Sequence, residues 1–160
     1  MRSDVQGLLD AHYPAVAADL LIPLLDLIQT SRRACVGDLD KFLVLLVVAV
    51  RTAQHPQFVA MDNAQLEACA FEALPNLGIN ARSIAESVEI PKETVRRKVA
   101  ELIEAGWLMR RGNDLHLTGY ACQALKPVRD QVLSQATRNF DTAAALVDDA
   151  PPAQAGGASS

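Results

Sequence analysis

The stretch "SIAESVEIPKETVRRKVAELIEAGWLMRRGNDLHLTG", Ser83–Gly119, decides how the chain is read. Ile84, Ala85 and Val88 fall on one side of a short helix for which Asn80 is a suitable N-cap. Ala85 is small, so a second helix can cross close to it, and Ile90 fills the turn from below. Pro91 suits a first helical turn because its missing N–H is not needed there. Glu93 complements the helix dipole, and Gly106 supplies a stop after Ala105. Val95, Val99, Leu102 and Ile103 make one apolar stripe along this second helix. "WLMRR" and "LHLT" then read as two short strands joined by the hairpin turn Gly112-Asn113-Asp114.

Charge is unevenly spread. The formal net charge is -4, yet Lys92, Arg96, Arg97, Lys98, Arg110 and Arg111 lie within a short span that holds only Glu93, Glu101 and Glu104 as acids. A local basic stripe on an acidic chain is an electrostatic footprint for a polyanion. With about 3.6 residues per turn, Arg97 stands opposite the apolar stripe, flanked by Glu93, Arg96 and Ala100. Arg forms bidentate hydrogen bonds to guanine, and Glu accepts from cytosine. Lys and the other Arg side chains bind phosphates and set the register. Arg110 and Arg111 precede the hairpin tip, within reach of an adjacent backbone or minor groove.

Two short helices, a tight turn and a hairpin, in that order, spell a winged helix-turn-helix. The stretch Ser83–Leu108 resembles the helix-turn-helix of bacterial transcription regulators. "KETVRR" is similar to the recognition helix of the cyclic-AMP-receptor family, and that resemblance assigns DNA contacts to Lys92, Glu93 and Arg97. The wider arrangement resembles the MarR family: N-terminal helices, a winged helix, a Leu117-Thr118-Gly119 step and C-terminal helices. In that family the terminal helices form the dimer. Glu89 stands where a glycine often sits in the turn, so the turn needs a non-glycine residue at positive φ or a different geometry.

The rest of the 160 residues reads as helix and tail. The expectation is a mainly α chain: N-terminal helices over 1–55, a winged helix-turn-helix with a small two-stranded wing over 62–119, C-terminal helix or helices over 120–147, and a disordered tail over 148–160. Pro14–Arg33 is helical in pattern, with Pro23 expected to kink or divide it. Asp38 can cap a helix running to about Thr52, "QHPQFVAMDN" is a loop, and "AQLEACAFEAL" is a helix ending near Pro75. Pro127 either kinks the C-terminal helix or starts a new one. "FLVLLVVAV", Phe42–Val50, is apolar on every side and too short to span a bilayer, which needs ~20 residues. It calls for burial on all sides, in a central position or by a second subunit.

Other chemistry is poorly supported. Cys35, Cys69 and Cys122 are far apart in sequence and fit neither a disulfide framework nor a zinc site, so they read as core fillers in a reducing cytoplasm. No signal peptide is visible. His12, His55 and His116 lack partners at ligand spacing, although His116 in the wing could touch a phosphate. There is no nucleophile elbow and no glycine-rich phosphate loop. The expectation is therefore a cytoplasmic, homodimeric, sequence-specific regulator that binds double-stranded DNA. It is not expected to be an enzyme, to hold a cofactor or metal, or to have a membrane partner. A small-molecule effector between the N-terminal helices and the winged helix is kept open. The alternative is a winged-helix interaction module without direct DNA binding, and a small-molecule-binding helical protein is the third reading. Exposed pairs of Arg97 and Lys98 with Glu101 and Glu104 would make the basic residues an ordinary solvated face.

Overall fold

The computed structural model describes residues 2–151 and is mainly helical with one small antiparallel sheet. The tail expected over 148–160 lies mostly outside the described residues, and α9 is helical to Asp149. In order, the helices are α1 (Arg2–Ala11), α2 (Tyr13–Ala34), α3 (Leu39–Ala53), α4 (Pro56–Val59), α5 (Asn63–Ala68), α6 (Ala81–Val88) and α7 (Lys92–Glu104). The strands β1 (Leu108–Arg111) and β2 (Asp114–Leu117) follow, and then α8 (Gly119–Ala124) and α9 (Lys126–Asp149). The described residues divide into two compact units, one of residues 2–28 with 130–151 and one of residues 29–129.

The second unit is built around α3. Asp38 caps it by accepting a 3.0 Å bond from the Lys41 N–H. Val44, Leu45, Val48 and Thr52 are buried on one face and meet α6, α7 and β2. Thr52 has no unmet polar group, because its hydroxyl donates to the Val48 carbonyl at 2.9 Å. From the other side the core receives Ile84 and Ala85 of α6, Val95, Val99 and Leu102 of α7, and Leu108, Leu115 and Leu117 of the hairpin. Burial on all sides of α3 was expected and is not found within the chain. Leu39, Leu43, Leu46 and Val50 form an exposed stripe opposite the buried face.

The hairpin pairs Leu108 with Leu117 and Arg111 with Asp114. The outer edge of β2 is covered by the segment that follows α5. Leu74 N–H donates to the Leu117 carbonyl at 2.8 Å, Leu115 N–H donates to the Ile79 carbonyl at 2.8 Å, and Ala73 bridges Thr118. This pairing accounts for the helix expected through residue 74 ending early. Cys69 adopts the left-handed conformation at φ 48°, which stops α5, and the residues beyond it serve the sheet edge. Conversely, α4 forms inside the segment read as a loop, started by Pro56.

Glu89 ends α6 in the left-handed region, with φ 55° and ψ 32°, so the turn keeps its geometry without a glycine. Pro91 is the N-cap of α7 and the helix begins one residue later. Pro23 is buried inside a continuous α2 and does not divide it. Pro127 starts a new helix, in the first turn of α9.

The first unit comprises α1, the N-terminal part of α2 and most of α9. Val16 is buried there, and Arg138 pairs with Asp26 at 3.2 Å. Helix α2 is long and apolar enough, by length and composition alone, to cross a membrane. It carries Asp19 and Asp26 within its length. Along α9, Leu133, Ala136, Phe140, Ala143 and Val147 alternate at three- and four-residue spacing. Leu133, Phe140 and Val147 are exposed, Phe140 by 71%. Among the described residues that spacing leaves an exposed apolar stripe along α9.

Gly119 marks a close backbone approach in the second unit. A Cβ there would fall on the backbone carbonyl oxygens of Phe71 and Cys69, 2.5 Å from the latter. Backbone cannot swing aside as a side chain can, so Gly119→Ala must push α8 away from the segment after α5. The expected loss is about 1–3 kcal/mol, read as a lower midpoint in urea unfolding with an unchanged slope.

Candidate nucleic-acid interface

Helix α7 presents its polar face because its other face is fixed in the core. Val95 and Val99 are fully buried, and this rotates Glu93, Arg96 and Arg97 outward. Their side chains are 81%, 75% and 67% exposed. Lys92 is exposed at the first residue of the helix. Glu93, Thr94, Arg96, Arg97 and Ala100 border a shallow open depression, made possible by the small Ala100 between longer side chains. Thr94 was not among the residues anticipated. It has only a hydroxyl to signal its place, which the sequence pattern does not distinguish from any other helix threonine.

The start of α7 is electropositive in a second way. Pro91, the N-cap, provides no side-chain hydrogen bond to the first-turn N–H groups. Those donors and the helix dipole point the same way as Lys92. On the exposed face, Arg96 pairs with Glu93 at 3.3 Å and Arg97 approaches Glu101 at 3.9 Å. Such solvated pairs hold a side chain weakly and release it readily.

Lys98 behaves differently from its neighbours. It was expected on the shoulder of the basic face, but its side chain is only 15% exposed and its ammonium pairs with the Asp38 carboxylate. Next to it, Lys41 pairs with Glu101 at 2.8 Å. Asp38, Lys41, Lys98 and Glu101 thus fasten the start of α3 to the middle of α7. Burial raises the Asp38 carboxyl, but the hydrogen bond from Lys98, the Lys41 N–H and the two lysine charges outweigh it, and the net pKa is lowered. The hydrogen bond from Lys41 is the main reason that Glu101 is also lowered. Asp38 could be read from sequence as a helix cap, but its pairing with Lys98, across 60 positions, has no local signature.

Arg110 and Arg111 are exposed beside the hairpin tip, at register positions facing Leu115 and Asp114. Arg111 also reaches Glu72 at 3.4 Å. His116 does not face outward as a free phosphate donor. Its Nδ1 is 2.9 Å from the Leu74 carbonyl, where it helps to hold the covered edge of β2. The structure therefore gathers Lys92, Glu93, Arg96 and Arg97 on one helix face, sets Arg110 and Arg111 on the hairpin, and turns Lys98 inward.

Among the described residues no group of three or more His, Cys, Asp or Glu side chains could hold a metal ion. Comparison with known protein families, curated proteins and solved structures finds no match to the chain.

The Asp38–Lys98 pair has a pH signature. Asp38 is lowered from 3.8 on folding, so its contribution is complete above that value and is lost as pH falls through the lower folded value. Asp38→Asn keeps a capping oxygen but leaves Lys98 without its counter-charge. It should cost about 1–3 kcal/mol at pH 7. Urea unfolding measured from pH 7 down to pH ~2 should show the two proteins converging as the wild-type carboxyl protonates.

Proposed function

We propose that the chain is a sequence-specific DNA-binding transcription regulator, cytoplasmic and homodimeric, in which α6, α7 and the β1–β2 hairpin act as a winged helix-turn-helix of the MarR-like kind. The observation that carries this reading is the outer face of α7. Its N-terminal half offers Lys92, Glu93, Arg96 and Arg97 to solvent, while Val95 and Val99 hold its back in the core. Arg97 reads a guanine, with Glu93 accepting from a cytosine. Lys92 and Arg96, together with the uncapped first turn, hold phosphates. Arg110 and Arg111 make sequence-tolerant contacts from the hairpin. Lys98 serves the reading face indirectly, by fastening α7 to Asp38.

A second copy of the chain is the partner that the apolar stripes call for. The stripe on α9 with Phe140 at its middle, and that on α3 from Leu39 to Val50, are both exposed in the single chain. A two-fold interface would be self-complementary and would present two α7 helices to successive turns of DNA, about 34 Å apart. A winged-helix protein-interaction module is the competing reading, favoured by the same exposed apolar residues. It predicts that the face around Arg97 is covered by a protein.

Selection of bound fragments from random DNA by the purified chain supplies the site on which the reading is tested. On that site Arg97→Ala should weaken binding by about 1–3 kcal/mol and relax preference at one base position per half-site. An equal loss on selected and random DNA would make Arg97 a phosphate contact, and no selected sequence at all would favour the interaction module. Sedimentation equilibrium of the wild type at micromolar concentration should give a dimer, and Phe140→Glu should shift it toward monomer. A well-folded wild-type monomer would count against the two-fold arrangement.

A further inference from the structure

Cys69 and Cys122, distant in sequence and read there as separate core fillers, are neighbours in the fold. Cys69 ends α5 and Cys122 lies on α8. Both thiols point at one atom, the Leu66 carbonyl oxygen, at 3.3 Å for Cys69 Sγ and 3.8 Å for Cys122 Sγ. The backbone brings them together. Ala73 bridges Thr118, and Gly119 seats its bare Cα against the Cys69 and Phe71 carbonyls. Cys122 follows Gly119 by three residues and so shares that face of α8.

We propose that Cys69 and Cys122 form a dithiol site that a low-molecular-weight disulfide oxidises to an intramolecular disulfide. In the first step the Cys69 sulfur attacks the small disulfide. A mixed disulfide forms on Cys69, one small thiol leaves, and the Cys69 proton goes with it. In the second step the Cys122 sulfur attacks the Cys69 sulfur, the protein disulfide forms, and the second small thiol leaves with the Cys122 proton. Two protein thiols are oxidised and one small disulfide is reduced to two thiols.

Cys69 takes the first step because the Cys122 thiol is held back by its raised pKa. Cys122 takes the second step by proximity, since both sulfurs sit on the Leu66 carbonyl. Burial foremost, and then its hydrogen bond to Cys69, push its thiol up to about 12, and the share that the Cys69 thiol supplies is gone once Cys69 carries the mixed disulfide. Losing both S–H donors strands nothing, because the Leu66 carbonyl keeps its backbone bond from the Cys69 N–H at 3.2 Å. Cys35 offers no competing route. It is buried, and burial with the Asp38 charge pushes its thiol up to about 11.

The disulfide would close a loop containing α6, α7 and the hairpin, and should stiffen that part of the chain against unfolding. Its formation does not depend on DNA binding, and mass rather than affinity reports it. The experiment treats the reduced full chain with oxidised glutathione and maps the product by proteolysis and mass spectrometry. Wild type and Cys35→Ser should both lose two hydrogens and yield a Cys69–Cys122 linked peptide. The melting temperature should rise by about 5–15 °C, and dithiothreitol should reverse the rise. Cys69→Ser and Cys122→Ser, checked for folding by circular dichroism, should stop at the single thiol or its glutathione adduct. Persistent glutathione adducts on the wild type, cross-links between copies, or no reaction would each overturn the proposal. The wild-type map needs no variant, so misfolding of a variant cannot obscure the result.

Discussion

The buried face of α3 is the constraint on which the second unit depends. Val44, Leu45 and Val48 are the apolar surface that α6, α7 and β2 share, and without it those elements have no common wall to pack on. Fully burying each such side chain is worth about 1.5–3 kcal/mol, more than any surface ion pair of the unit can supply. The apolar packing places α7 against α3 and sets its rotation, and the Asp38–Lys98 and Lys41–Glu101 pairs then fasten it there. The order of causes matters for the exposed face of α7. Arg97 points outward because Val95 and Val99 cannot, and not because any partner of Arg97 pulls it there.

The same division between apolar and polar causes explains what could be read from the sequence. Periodicity gave α7 and alternation gave β2, because each buries one regular face, whereas α3 was read from its cap and as apolar on every side and buries only one face. Val95, Val99 and Leu102 are buried as their spacing implies, and Asn80 and Asp38 cap the helices that they precede. Local pattern failed where a distant segment decides the outcome. The helix expected through residue 74 stops at Cys69 because β2 needs an edge partner, and strand pairing across some forty residues leaves no periodic trace. Lys98 was placed among the outward bases because a helical wheel records angle but not the carboxylate waiting on another helix. His116 lies in the hairpin as read, and the contact of its Nδ1 with the Leu74 carbonyl, some forty residues away, has no local signature.

The cysteines teach a related lesson. Spacing along the chain says nothing about proximity when the two positions lie on either side of a hairpin and its flanking helices. The closeness of Cys69 and Cys122 is set by Gly119, whose missing side chain lets α8 touch the backbone after α5. The sequence marked Gly119 as part of the step after the hairpin, but its packing role is visible only through the carbonyls that occupy the space of its absent Cβ.

Among the described residues, three other than glycine hold positive φ: Val36, Cys69 and Glu89, each at or just past the end of a helix. A glycine at such a joint has wide neighbouring basins and lets the flanking helices swing. A residue with a Cβ confines the backbone to a narrow left-handed well, so the joint between α6 and α7 is a stiff elbow rather than a pliant one. Angular play between the two helices is then small at the outset, and a surface that α7 meets encounters a face already set at its working angle. The left-handed strain at Glu89 is carried permanently by the folded chain, and in return little orientational freedom remains to be lost on contact.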